Sequence, residues 1–307
     1  MYLPTSVRKL LVCAAVLSAS CRGKKLHSPQ DAFLDDSRMD ETSGIAASRA
    51  NPGYFYVHND SGDSSRFFAI KPDGHLRGIF YFNGDPRLGS LGVKDCEDIA
   101  VGIGPDSGAS YVYVGDIGDN FSHRKYITIY RIKEPGLPAD TSTSVPARLT
   151  IGRLRADPLF LQYPDGPRDA ETLMADPIDK LLYIVSKRED SVHVYSTPLD
   201  FRAHDTVTLT RNTNLYFSGK GKWITAGDIS AKGDQILIKS YRKVYYWRRP
   251  AGEPVWKTLQ HTPTLLPYFV EPQGEAIGFS IDGKSYYTVS EGVKPELYYY
   301  RLSAPPF

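Results

Sequence analysis

The chain has 307 residues, 41% of them apolar and 23% charged, with a formal net charge of +2. That balance can fill a sizeable core and argues against a disordered chain, and without a basic excess or a long Lys/Arg run a polyanion-binding reading gets no support from charge. Tyr (21), Gly (26) and Pro (22) are plentiful, a profile suited to many short strands and turns.

The N-terminus reads as an export signal. Arg8 and Lys9 precede the apolar run Leu10–Leu17, which is too short to remain in a bilayer as a spanning helix. Ser18, Ala19 and Ser20 then lead to Cys21. Residues 1–20 are expected to be a signal peptide of the bacterial lipoprotein kind, with Cys21 as the lipidated residue. Ser18 stands where such signals usually carry Leu, so ordinary signal cleavage is the alternative. The anchor and a polar tether occupy residues 21–30, and one domain is expected over 31–307. Cys13 would leave with the signal, so Cys96 would be a lone thiol. Between Asp95 and Glu97 it reads as a small, partly buried hydrophobe, because flanking carboxylates disfavour a thiolate.

A recurring phrase follows: a small or acidic residue, a short apolar strand, a turn, then a β-rich strand ending in polar residues. The copies are SGIAAS with YFYVHND (43–60), EDIAVG with YVYVGD (97–116), ETLMAD with LYIVSK (171–187), GDISAK with ILIKSY (227–241) and EAIGFS with YYTVSE (275–291). A third, aromatic strand comes after each: RFFAIK, ITIYRIK, VHVYS, VYYWRR and LYYYR. Fourth strands are expected at LRGIFYF (from Leu76), ARLTIGRL (from Ala147), DTVTLTRN (from Asp205) and TLLPYFV (from Thr264), while the fifth copy ends without room for one. Such a unit is a twisted antiparallel sheet with both faces bare, and radial stacking buries them. The expected fold is therefore an all-β propeller of five four-stranded blades, closed by an N-terminal strand from Ala32–Met39. The long stretch at 146–164 leaves room for part of a sixth blade.

In a propeller the first strands line a central channel, so equivalent positions form rings. One expected ring reads Ser43, Glu97, Glu171, Gly227, Glu275, and the next Gly44, Asp98, Thr172, Asp228, Ala276. The ends of the second strands read Asp60, Asp116, Lys187, Tyr241, Glu291. Carboxylates brought together from separate blades raise one another's pKa or require a cation, and oxygen donors suit Ca²⁺. Glu97, Glu171, Glu275, Asp116 and Asp60 are the expected metal ligands. Asp98, Asp228, Lys187, Glu291 and His58 are expected to face a bound ligand. The alternative is that Glu171 pairs with Arg168 or Lys187, making the ring structural. The loops Asn59–Asp63 and Gly115–Asn120 combine Asp, Asn and Gly, which suits either a cation or a tight turn. His58 beside Asp60 reads as a proton-transfer group or as a surface histidine.

The phrases CEDIAVG…YVYVGDIGDN, DAETLMADP…LYIVSK, TAGDISAKGDQILIKSY and QGEAIGFSIDG resemble a family of secreted bacterial β-propeller proteins without an assigned activity, over nearly the whole mature chain. More distantly, the acidic first strands are similar to phytase-like and gluconolactonase-like propellers. That likeness implies a cation at the channel mouth, although the basic phosphate-gripping set of phytases is not identifiable. The expectation is an exported, envelope-anchored monomer that binds a small molecule or protein partner at its channel mouth, with Ca²⁺ as the candidate cofactor. It would contact membrane through its anchor alone and bind no nucleic acid. The alternative is a Ca²⁺-dependent hydrolase of an ester, lactone or phosphate ester.

Overall fold

A computed structural model describes residues 32–137 and 149–302. The expected signal, Cys21 and the tether lie outside the described residues. None of the described helices is long and apolar enough to cross a membrane.

Five sheets, each built on an antiparallel core, stand around one axis. Their first strands are Thr42–Ala47, Cys96–Ile103, Ala170–Asp176, Ile224–Ile229 and Gly274–Phe279, which number the blades one to five in chain order. Each pairs with the strand that follows it, and that strand pairs with a third. The count among the described residues is five; the described part of the expected extra stretch, 149–164, supplies outer strands to blades one and two and builds no sixth blade.

The alternation of each strand distributes its side chains between two neighbouring blades. In blade one, Tyr56 packs with Val114 and Tyr130 of blade two, while Phe55 and Val57 pack with Val289 and Leu297 of blade five. Three further apolar clusters fill the remaining gaps between blades. Truncating a residue such as Leu237, fully buried between blades four and five, to Ala costs about 2–5 kcal/mol at such sites.

Two of the expected outer strands are corrected. The segment expected to complete blade two, ARLTIGRL, instead forms Leu149–Leu154 and runs parallel to Leu76–Phe82 on the outer edge of blade one. Blade two is completed by Ala156–Gln162. The DTVTLTRN segment splits likewise. Thr206–Thr208 runs parallel to Ala156–Gln162 on blade two, and Thr210–Tyr216 completes blade three. After its third strand the chain thus reaches back to cover the preceding blade's open edge before completing its own blade, which removes an exposed row of unpaired backbone groups. In blade four a short helix, Val255–Thr258, takes the place of the detour, and Val255 packs in one cluster with Leu215 and Phe217 of blade three.

Ring closure follows expectation. Phe33 bridges Glu296, the Leu34 amide donates to the Pro295 carbonyl at 3.0 Å, and the Leu297 amide donates to the Ala32 carbonyl at 2.8 Å. The N-terminal segment supplies the fourth position of blade five.

Candidate metal centre at the acidic channel mouth

Every first strand carries the same irregularity. The pairing register shifts between Thr42 and Gly44, Cys96 and Asp98, Ala170 and Thr172, Ile224 and Ala226, and Gly274 and Ala276. A bulge leaves one residue unpaired and re-aims its side chain. The bulged residues are Ser43, Glu97, Glu171, Thr225 and Glu275. This is the expected ring in four blades. In blade four Thr225 takes the place expected of Gly227, because the strand starts at Ile224 and Gly227 occupies its central position.

The three glutamates meet. Ligand oxygens of Glu97, Glu171 and Glu275 lie within 4.8 Å of one another, and all three residues are buried. A second trio, Asp60, Asp95 and Glu97, lies within the same span, so Glu97 belongs to both. Asp95 was not singled out from sequence. It precedes the strand, and its only signal was its place two residues ahead of Glu97.

The ring at the second-strand exits is set by pairing. Thr42, Cys96, Ala170, Ile224 and Gly274 pair with Asn59, Asp116, Ser186, Ser240 and Ser290. The next residues are Asp60, Ile117, Lys187, Tyr241 and Glu291. Asp116 therefore stands one place short of the ring, and a one-residue offset in a strand turns a side chain to the other face. It is held there by Arg124 at 2.7 Å and by the amides of Lys94 and Asp95, both at 3.1 Å. It joins neither trio.

Lys187 is the cation of this ring. Its ammonium contacts Glu171 Oε1 at 2.5 Å with both side chains buried, as the structural alternative anticipated. Arg168 pairs instead with Asp165 and Glu189. Tyr241 donates to Glu275 Oε1 at 2.7 Å. The other oxygen of Glu171, Oε2, is buried without a hydrogen-bond partner among the described residues. Glu291 accepts from Gln273 at 2.8 Å.

The electrostatics follow from burial. Desolvation, and then the charge of Glu171, holds Glu97 well above the usual carboxylate range. Desolvation raises Glu171 as well, against the opposing pull of Lys187. It lifts Asp60 to about 7 against a hydrogen bond from the Ser61 amide, and Asp95 to about 6 against the charge of Arg124. Glu291 rises to about 8 by burial and by the charges of Glu275 and Asp60. Glu97, Glu171, Asp60, Asp95 and Glu291 therefore stay protonated above their ordinary range, or ionise around a cation.

One glycine permits the close approach. A Cβ on Gly118 would lie 2.2 Å from Glu97 Oε1 and 2.6 Å from Asp95 Oδ2, so its bare backbone lets both carboxyls close in. The rest of the Gly115–Asn120 loop is tied down: Asp119 accepts from the Arg124 amide and Asn120 contacts Arg188. In the Asn59–Asp63 loop, Asp63 pairs with Arg66 at 2.7 Å and Asn59 donates to the Arg38 carbonyl. Of the acids in these two loops, Asp60 alone joins a trio.

The remaining expected residues sit deeper. Asp98 is fully buried and accepts from the Leu173 amide of blade three at 2.8 Å. Asp228 accepts from the Phe279 amide of blade five at 2.8 Å, and burial raises it to about 7. By the corrected register it lies below Asp98, near the opposite mouth. Both join blade to blade. His58 is not exposed and joins neither trio. It is 1% exposed, bonds the Asn59 carbonyl through Nδ1 at 2.8 Å, and burial depresses it to about 4, so it is neutral. Lys239, unforeseen, occupies the corresponding place in blade four, donates to the Gly274 carbonyl, and is lowered to about 8 by burial. Cys96 is buried and free, and burial pushes its thiol well up.

The donor set fits a hard cation: oxygen ligands alone, two overlapping trios, a buried carboxylate oxygen without a partner, and several raised pKa values that a cation would relieve. No family model and no curated protein matches the chain. Among solved structures, a luciferin-regenerating enzyme is similar over 87% of this chain and 92% of its own, with 10% identity and a TM-score of 0.45.

Proposed function

We propose that the acidic mouth binds a divalent cation, with Ca²⁺ suggested by its donors, and that the cation and surrounding rim form the ligand- or partner-binding face of an exported envelope protein tethered through Cys21. The observation that carries this is the pair of carboxyl trios sharing Glu97, set beside the partnerless Glu171 Oε2. A ring needed only to join blades would be satisfied internally, as Asp98 and Asp228 are. The chain is read as a monomer, with the lipid anchor as its membrane contact.

The test is thermal unfolding of the mature chain, made soluble by Cys21→Ser, with excess Ca²⁺ and then with chelator. A ligand of the folded state stabilises by RT ln(1 + [L]/Kd), about 2.7 kcal/mol at a hundredfold excess over Kd. The expected shift is several degrees, abolished by Glu97→Gln with Glu171→Gln. No shift with Ca²⁺ overturns the reading.

Asp60 favours one second reading. It is the partly exposed rim member of the second trio and held at about 7, so it can exchange a proton at neutral pH. That is the property required of a general base toward water attacking an ester, lactone or phosphate ester, chemistry that a bound cation would assist. A hydrolysis screen with Asp60→Asn as control tests it. Turnover that persists in the variant would remove Asp60 from that role.

A further inference from the structure

We propose that the cleft between the Trp223 and Arg242 loops takes a sugar carboxylate, its ring stacked on the Trp223 indole, its carboxylate on Arg242 and its hydroxyls directed toward the acidic mouth. This deepens the mouth-binding reading above and rests on it.

The cleft has a volume of about 500 Å³ and is lined by Gly221, Trp223, Tyr241, Arg242 and Glu271, among others. That is ample for one small ligand. Its position follows from two turns built alike. After the second strands of blades three and four come Lys187-Arg188 and Tyr241-Arg242. The first residue of each pair turns inward, Lys187 to Glu171 and Tyr241 to Glu275. The second turns outward. Arg188 lies 5.2 Å from the Trp223 ring centroid, and Arg242 lays its aliphatic stem against Gly221. Gly221 has φ +66°, which favours glycine, and a Cβ there would stand 2.6 Å from Arg242 Cγ and push the arginine stem aside. The cleft and the carboxyl trio are thus one tyrosine apart.

The chemistry is specific. Trp223 is large, apolar and 42% exposed, and indole faces receive the apolar C–H faces of sugar rings. Arg188 is committed to Asp169 at 2.5 Å, and Lys222 to Asp190 at 2.6 Å. The Arg242 guanidinium has no ion pair or side-chain hydrogen bond among the described residues, and its planar fork matches a carboxylate. A neutral sugar would leave that fork unused. A phosphate dianion would meet the nearby carboxyls at twice the charge with one arginine to offset them, whereas a monoanionic ring acid fits both the charge and the indole.

The experiment follows intrinsic tryptophan fluorescence of the mature Cys21→Ser chain during titration with D-galacturonate, with galactose and inorganic phosphate as controls and with Ca²⁺ or chelator present. Trp247, by contrast with Trp223, is nearly fully buried. The expected result is saturable binding of the uronate with a Kd on the order of 1 mM or below, and weaker binding of galactose. Arg242→Gln, at an exposed position, should weaken uronate binding at least tenfold while leaving the Ca²⁺ thermal shift intact. Calorimetric titration of Trp223→Ala should show the same loss without relying on the fluorophore. Ca²⁺ stabilisation without saturable uronate binding overturns the cleft inference and leaves the cation reading standing. Uronate binding lost in Arg242→Gln but indifferent to Ca²⁺ and chelator supports the cleft and counts against the cation. Equal binding of phosphate and uronate overturns the assignment to a sugar.

Discussion

Replacing Lys187 with Met separates a cation site from an acidic ring neutralised by its own lysine. The ammonium sits 2.5 Å from Glu171 Oε1, with both side chains almost wholly buried. At an effective dielectric of about 20 such a contact represents roughly 7 kcal/mol of attraction before desolvation. Removing one partner of a buried pair costs about 3–5 kcal/mol. In chelator, Lys187→Met should therefore unfold at least about 6 °C below the parent, at about 2–4 °C per kcal/mol for a domain of this size. With Ca²⁺ the sign reverses. A divalent ion held by Glu97, Glu171 and Glu275 would share Glu171 with the ammonium, and the two like charges would repel by several kcal/mol at the same dielectric. Removing the ammonium should tighten Ca²⁺ binding at least tenfold, so the Ca²⁺-induced shift in unfolding midpoint grows although the apo protein is weaker. Calorimetric unfolding of both proteins across a Ca²⁺ series measures both effects. A variant that loses stability in chelator and gains no Ca²⁺ response would refute the reasoning and make Lys187 the ring's intended counter-ion.

The pH dependence of the chelated protein has a fixed sign. Asp95 at about 6, Asp60 at about 7 and Glu291 at about 8 all stand above their unfolded values, so the folded state binds more protons. The stability this gives is complete below about pH 4 and is lost as pH rises through 6 to 8; denaturant unfolding in chelator should show the decline, and saturating Ca²⁺ should flatten it. Gly118→Ala drives a methyl toward Glu97 and Asp95 and should reduce the Ca²⁺ shift by at least half, read by the same melts. Asp98→Asn disturbs the junction of blades two and three and should cost about 1–3 kcal/mol by denaturant titration while the Ca²⁺ shift persists. An abolished Ca²⁺ shift there would place Asp98 in the site.

The repeat was legible because each first strand is a short apolar run with an acid or small residue at its head, and each second strand a run of β-branched, aromatic and aliphatic residues that ends in a polar one. The outer strands were not. ARLTIGRL and DTVTLTRN carry ordinary strand alternation, which is indifferent to whether the partner is the segment's own blade or the one before. The glutamates of the trio were legible as residues at a repeated offset from Ile or Leu, while Thr225 was hidden because blade four places glycine at that central position. Asp116 misled for the converse reason: sequence ends a strand at its last polar residue, but pairing with Cys96 assigns the ring position to Ile117. Asp95 and Gly118 lie outside strands, and only the folded loops bring them to Glu97. The bulge explains why the glutamates could be placed at all. Within regular pairing, each inner-strand side chain is committed to one neighbouring blade, and Asp98 and Asp228 accordingly bond to the next blade's amides. A bulged residue is released from that alternation, so three acids can turn to the axis without disturbing the interblade packing.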